Sequence, residues 1–311
     1  GLALLGYWFT PVAPPQAILL EIESGESLTQ VARRLEEAGV TRSATALKLL
    51  ARVRSQSGAI HTGKYSFTDS ADPAEILARL VSGDVVQVTL TIPEGLTLRQ
   101  ISERIANENL GDGERFRQLC SDPQLIKSFG IDAPSLEGYL FPETYFFPKN
   151  TAVKTIISTM VNRFREIFSP GWQKRAAQLG FSNHQIVILA SIIEKETGAP
   201  FERPLISSVF HNRLNRKMRL ESDPTVIYGL ENFDGNLKRK HLEAPTPYNT
   251  YKRSGLPAGP IANPGKESLE AALYPAETKF IYFVSKKDQT HQFSTNFLDH
   301  QRAVQKYQLR R

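Results

Sequence analysis

Two glutamates close an apolar run in the stretch ILASIIEKETG, residues 188 to 198, where Glu194 and Glu196 follow Ile192 and Ile193. From Ile186 to Ile193 the only polar residue is Ser191, so this run predicts a helix that is apolar all round and central to its domain. A carboxylate at the C-terminal end of such a helix faces desolvation and the negative end of the helix dipole, and both disfavour its charge. A carboxyl group that keeps its proton near neutral pH is what a general acid requires. The plainer reading is a pair of solvated glutamates at a fraying helix end, with Lys195 between them on another side. Geometry separates the two, because residues two apart on a helix diverge by about 200°. Helical side chains lean back over the preceding turn, which sets Glu194 over Ala190 and Ser191, and Glu196 over Ile192 and Ile193. Small neighbours leave room for a ligand, so Glu194 is selected for chemistry and Glu196 for a supporting part.

Other chemistries find less support. Six histidines lie far apart with no HExxH or His-x-His spacing, and a single cysteine, Cys120, excludes an intrachain disulfide framework and any multi-cysteine metal site. No metal and no cofactor is expected. The segment GLPAGPIANPG lacks the Lys-Ser/Thr pair and preceding strand of a phosphate loop and reads as a rigid cleft wall. In LEGYLFPETYFFPKN the aromatics Tyr139, Phe141, Tyr145, Phe146 and Phe147 suit a packed junction better than a sugar platform. Glu137 and Glu143 are the polar exceptions there, and a carboxylate among aromatics has reason to be near chemistry.

The elements that position these groups fall into an α+β pattern. AILLEI reads as a strand, SLTQVARRLEEAG and TALKLLARV as helices, GKYSF as extended, and DPAEILARLVSG as a helix capped by Asp72, opened by Pro73 and ended at Gly83. VQVTLTI alternates like a half-buried strand. The second half is mainly helical: an amphipathic helix over TAVKTIISTMVNRFREIF, the central helix with Ser182 and Gln185 spaced as a capping box, and a helix near PLISSVFHNRLNRK. A short helix at SDPTVIYG, capped by Asp223 and Pro224, then a small sheet from FIYFV and HQFS complete it. The expected division is 1–16 as the remnant of a membrane anchor with its linker, 17–88 as an N-terminal α+β module, 89–149 as a second repeat unit with the aromatic connector, and 150–311 as a catalytic domain.

Composition bounds the partners. A chain of 311 residues, 41% hydrophobic, can bury two cores, so disorder is not expected. The net charge of +6 is a mild excess without a basic stripe, and nucleic acid is not an expected partner. GLALLGYWFTPVAPPQ is apolar through Phe9, too short for a bilayer core that needs about 20 residues. It fits either a frayed hydrophobic terminus or the outer end of a membrane anchor, and Tyr7 and Trp8 before a proline-rich exit favour the anchor.

One internal echo stands out. IESGESLTQVARRLEEAGV and IPEGLTLRQISERIANENL superpose with Ser27 on Thr97, Leu28 on Leu98, Gln30 on Gln100, Val31 on Ile101 and Leu35 on Ile105. This strand, Gly turn, hydroxyl cap and helix resembles the opening half of a LysM peptidoglycan-binding module; a generic strand–helix unit used twice fits equally.

The ordered blocks ASIIEKETG, SSVFHNRLNRKMRLESDPTVIYG, APTPYNTYKRSGLPAGPIANPG and YPAETKFIYFV resemble the endolytic murein transglycosylase family, and the likeness extends from the LysM-like repeat to HQFSTNFLDH. The resemblance implies an enzyme that cleaves peptidoglycan glycan strands without hydrolysis between N-acetylmuramic acid and N-acetylglucosamine, leaving 1,6-anhydro-muramyl ends and limiting strand elongation. It implies Glu194 as the catalytic acid and base. It further implies peptidoglycan strands as partner, peptidoglycan synthases as further partners, and single-pass anchoring in the bacterial inner membrane with the catalytic part on the periplasmic side. Candidates for binding or support are Glu137, Glu196, Tyr228, Tyr248, Asn249 and Thr250, with Asp223 most simply a helix cap. The alternative function is a non-catalytic peptidoglycan-binding scaffold built on the repeat.

Overall fold

The computed structural model describes residues 8–14, 16–231 and 233–309. The chain forms two compact units: one runs through Thr89 and includes Phe146–Thr151, and the other comprises Leu90–Tyr145 with the chain from Ala152 onward.

In the first unit β1 (Ile18–Ile22) pairs antiparallel with β2 (Gly63–Phe67), Ile18 opposite Phe67 and Ile22 opposite Gly63. Alternation along β1 turns Leu20 and Ile22 inward and leaves Leu19 exposed. Between the strands lie α1 (Leu28–Glu37) and α2 (Ala44–Val53), and α3 (Pro73–Ser82) follows. The expected punctuation of α3 is present: Asp72 caps it, Pro73 opens it and Gly83 ends it in the left-handed region at φ 71°. Val31, Leu35, Leu47, Tyr65, Phe67 and Leu80 are among the residues that fill this core.

The chain then enters the second unit within β3 (Gln87–Thr91), which forms a two-stranded sheet with β4 (Thr144–Pro148). The internal echo is structural. Gly25 and Gly95 both turn in the left-handed region, at φ 90° and 76°. Ser27 and Thr97 then close full capping boxes with Gln30 and Gln100 at the starts of α1 and α4 (Leu98–Asn107). In each copy further helices follow before the returning strand, α2 in the first and α5 (Gly113–Cys120) with α6 (Pro123–Ser128) in the second. Of the aromatic connector, Tyr139, Phe141, Tyr145 and Phe147 are buried and Phe146 is exposed.

Helices dominate the rest: α7 (Val153–Ile167), α8 (Pro170–Gln178), α9 (Asn183–Glu196), α10 (Arg203–Asn215), α11 (Asp223–Tyr228), α12 (Arg239–Leu242) and α13 (Lys266–Leu273). An antiparallel pair, β5 (Tyr282–Ser285) and β6 (His291–Ser294), and α14 (Phe297–Val304) close it. The fold is thus α+β with small sheets, as the sequence implies. Every residue of α9 from Ile186 to Ile193 is buried, and α13, α10, α8 and α11 pack around it. Its start is fixed by the expected capping box of Ser182 and Gln185.

Two expectations change. Ser222, not Asp223, stands at the N-cap of α11, because Asp223 already lies in the first helical turn and its carboxylate accepts from the Tyr251 hydroxyl at 2.7 Å. The space over Ala190 and Ser191 is not left to a ligand: the Ser191 hydroxyl donates to Ile188 O and accepts from Ile261 N–H at 3.0 Å, so the chain before Gly265 fills it. Of the apolar N-terminal stretch, residues 1–7 lie outside the described residues; among the described residues no single helix is long and apolar enough to cross a membrane.

Gly138 shows how tightly this packing is set. Its φ is +88°, and a Cβ there would stand 2.7 Å from both Pro260 Cβ and Val187 Cγ1. Gly138→Ala adds backbone strain to overpacking and is expected to cost about 2–4 kcal/mol, read as a lowered midpoint in chemical denaturation.

Candidate active site

Glu194 is held at the end of α9 by Gly265 and Arg203, neither of which the sequence picks out as a site residue. Gly265 N–H donates to Glu194 Oε2 at 3.0 Å, and Arg203 Nη2 stands 3.8 Å from Oε1. The Glu194 side chain retains only 8% of its accessible surface, and Arg203 is likewise buried. A buried guanidinium needs anionic and polar partners on each nitrogen. Arg203 finds them in Ser268 Oγ at 3.1 Å from Nε, Glu267 Oε2 at 2.5 Å from Nη1, and Glu94 Oε2 at 3.5 Å from the same Nη2 that faces Glu194. Glu94 completes the group from the turn before α4. Burial pushes its carboxyl above the ordinary range, and the nearby Glu194 charge adds to that rise.

Two glycines stand where these groups meet. A Cβ on Gly265 would stand 1.7 Å from Glu94 Oε1, so any side chain there displaces Glu94. Gly95, in the left-handed turn, keeps the chain close to Glu194 Cγ, and Lys195 Nζ donates to its carbonyl at 3.2 Å. The segment expected as a rigid cleft wall therefore also supplies a donor to the carboxylate.

Glu196 points elsewhere, as the helical geometry requires. Its Oε1 accepts from the Ser222 hydroxyl at 2.6 Å, and burial pushes its carboxyl up to about 7. Asp223 lies beside this second group.

Glu137, Tyr228 and Tyr248 come together in a cleft of about 840 Å³ that Leu98, Glu103 and Phe233 also line. The Glu137 carboxylate accepts from Leu98 N–H at 2.9 Å, Asn263 Nδ2 at 2.8 Å and the Tyr228 hydroxyl at 2.9 Å. Burial nevertheless outweighs these donors and pushes Glu137 up to about 7. The Tyr228 and Tyr248 rings meet edge to face at 4.7 Å, and burial raises both phenols, which keeps them neutral. Asn263 ties the cleft to the first group: it bonds Glu137 and Leu96 O, its Oδ1 accepts from Gly138 and Leu140 N–H, and Gly265 lies two residues on.

Asn249 and Thr250 do not enter the cleft. Both are fully buried; Asn249 Nδ2 donates to Leu242 O and Ala244 O, and Thr250 Oγ1 bonds Ser222 N–H and Thr225 Oγ1. Their part is to hold the 222–225 and 242–250 segments together. Cys120 is buried and its thiol is pushed up by burial, so it offers no nucleophile. Among the described residues no cluster of three or more His, Cys, Asp or Glu could hold a metal ion.

The missed residues differ in legibility. In the internal echo Glu94 falls on Ser24, one of three positions in the turn, with Glu23 on Pro93 and Glu26 on Leu96, at which the two copies differ. Arg203 and Asn263 carry no local signal, because burial by distant segments defines them.

Glu137 and Glu196 make stability depend on pH. Each carboxyl is raised from 4.5 to about 7, so the folded state binds more protons than the unfolded one between those values. Their contribution is fully present below 4.5 and is lost as pH rises through about 7. Glu137→Gln is expected to flatten the fall of denaturation free energy across this window, measured by urea unfolding at a series of pH values.

Comparison with known proteins gives the family. The model of the YceG-like family matches residues 20–306. An endolytic murein transglycosylase of Bacillus subtilis (strain 168) is 33% identical over 307 residues, covering 93% of this chain and 84% of that protein. A protein of the same name from Streptococcus pneumoniae serotype 2 is 27% identical over 320 residues, and the match covers 92% of this chain but 58% of that one. A 2.6 Å crystal structure of a putative yceG-like protein from Listeria monocytogenes superposes with a TM-score of 0.65 at 32% identity, over 92% of this chain and 98% of the other. The family match spans both copies of the turn, the cleft and the carboxyl group around Arg203, and the chain belongs to the YceG-like family.

Proposed function

We propose that this chain is an endolytic lytic transglycosylase acting on peptidoglycan, with Glu194 as the group that gives and regains the proton. The observation that carries this reading is the Glu194 carboxyl, nearly enclosed at the end of a buried helix and oriented by Gly265 N–H, in a chain similar to proteins named endolytic murein transglycosylase. Ordinary glycosidases divide acid and nucleophile or base between two carboxyl groups. Here Glu194 protonates the glycosidic oxygen between N-acetylmuramic acid and N-acetylglucosamine as the C1–O bond breaks. The resulting carboxylate then takes the proton of the muramyl C6 hydroxyl as O6 bonds to C1, which closes the 1,6-anhydro ring without water. The cleft with Tyr228 and Tyr248 suits sugar rings, whose apolar faces pack on aromatics while their hydroxyls meet polar groups such as Glu103.

The same reading extends to the cell wall at large. Cleavage inside strands would limit glycan elongation, with peptidoglycan synthases as partners, and a membrane anchor before the described residues would hold the chain at the periplasmic face of the inner membrane. The repeated turn and capping box support a LysM-like glycan-binding role for the two units. That repeat also favours a second reading, a scaffold that binds peptidoglycan without cutting it.

Two experiments separate these readings. Glu194→Gln is expected to lose at least about 10³-fold of strand cleavage while its circular dichroism and glycan retention stay at wild-type levels. Wild-type products should carry anhydro-muramyl ends by mass spectrometry; reducing ends would mean a hydrolase, and binding without any shortening would mean the scaffold. Tyr248→Ala is expected to raise KM several-fold with kcat little changed, because stacking acts on strand binding.

A further inference from the structure

The chemistry proposed above asks only one carboxyl group of the protein, yet two converge on a single guanidinium nitrogen. Arg203 Nη2 stands 3.8 Å from Glu194 Oε1 and 3.5 Å from Glu94 Oε2, and neither distance is a close ion pair. The guanidinium reserves its short contact, 2.5 Å, for Glu267 on Nη1. Glu94 is also the open member of the pair: its side chain is 45% exposed where that of Glu194 is 8% exposed. Its place is enforced from two sides, by the left-handed Gly95 after it and by Gly265, whose missing side chain leaves the space that Glu94 Oε1 fills. In the other copy of the turn, Ser24 stands at this position.

We propose that Glu94 is a positioning residue for the reaction of Glu194, a second carboxylate that competes for Arg203 Nη2 and so keeps Glu194 able to carry the proton it delivers. The inference rests on the reading of Glu194 as the acid. A guanidinium given wholly to Glu194 would favour its charged form, which cannot protonate a glycosidic oxygen. Sharing Nη2 weakens that pull, and the like charge of Glu94 opposes it directly. The charged groups facing Glu94 are Glu194 at the end of α9, Arg203 at the start of α10 and Glu267 in the first turn of α13, with Lys195 on the Gly95 carbonyl. Of these the two acids push the Glu94 carboxyl up and Arg203 pulls it down, after the larger effect of burial.

The test is the pH profile of glycan-strand cleavage. In Glu94→Gln the alkaline limb of kcat/KM is expected to move to lower pH by about one unit, a loss of roughly tenfold on that limb, with KM close to wild type. Glu94→Asp, which keeps the charge, should restore the limb. A limb that stays in place in Glu94→Gln, or a rise in KM alone, overturns the proposal, whatever the fall in overall rate. A second readout needs no substrate: with 13C-labelled glutamate, the titration of Glu94 should move to lower pH in Glu194→Gln, since a like charge has gone. An unmoved Glu94 titration overturns the coupling. A moved titration in a protein that forms no anhydro-muramyl ends would instead overturn the reading of the reaction while leaving the coupling established. Thermal melts of each variant identify any that fails to fold, and Glu94→Asp then carries the comparison.

Discussion

A helix with no polar face must be covered on every side, and in this chain that requirement organises the second unit. From Ile186 to Ile193 each side chain of α9 is buried, so neighbouring helices and the 261–265 segment are drawn onto it. Burial of such a run is worth about 1.5–3 kcal/mol per large aliphatic side chain, which is ample to hold short helices in place. The polar end of the helix then inherits fixed surroundings. Glu194 meets Gly265 and Arg203, and Glu196 meets Ser222, separate sets of partners that the divergence of about 200° between the side chains keeps apart.

Electrostatics at that end is arranged around scarcity. One buried guanidinium serves Glu94, Glu194 and Glu267, and it is itself anchored by Ser268. A buried ion pair in good geometry locks a carboxylate, whereas a looser, shared contact leaves room for protonation to change. Glu137 shows the other arrangement: three donors fix its carboxylate in the cleft, where burial still favours the proton. Asn263 connects the two sites by donating to Glu137 and to Leu96 O while its Oδ1 accepts from Gly138 and Leu140 N–H.

Local signals in the sequence are strong where spacing and residue type alone decide the element. The caps at Asp72 and Ser182, the glycine stop at Gly83, the strand at Gln87–Thr91 and the apolar centre of α9 all follow from spacing and residue type. What escaped reading depends on segments far apart in the chain. Asn249 and Thr250 read as binding or supporting groups in PTPYNTYK, and their burial, with Thr250 bonded to the 222–225 segment, shows only in the packed chain. Arg203 lies just past a short turn with no local mark of burial, and its partners come from residues 94, 194 and 267–268. Ser222 stands at the N-cap of α11 without a side-chain capping bond, because its hydroxyl goes to Glu196, while the Asp223 carboxylate meets the Tyr251 hydroxyl; both partners lie far along the chain.

The two copies of the strand, turn and helix separate what a turn needs to fold from what it can be made to do. Folding uses the left-handed glycine and the hydroxyl–glutamine box, and both copies keep them. The residue before the glycine takes no part in either device, so it is free to differ, as Ser24 and Glu94 do. A duplicated unit of this kind is a socket with interchangeable positions: the backbone presents side chains at fixed places, and their chemistry is set by whatever the rest of the chain brings opposite. In the second copy what stands opposite is a buried arginine and the end of an apolar helix, so the same turn that only folds in the first copy brings a carboxylate to a shared guanidinium in the second.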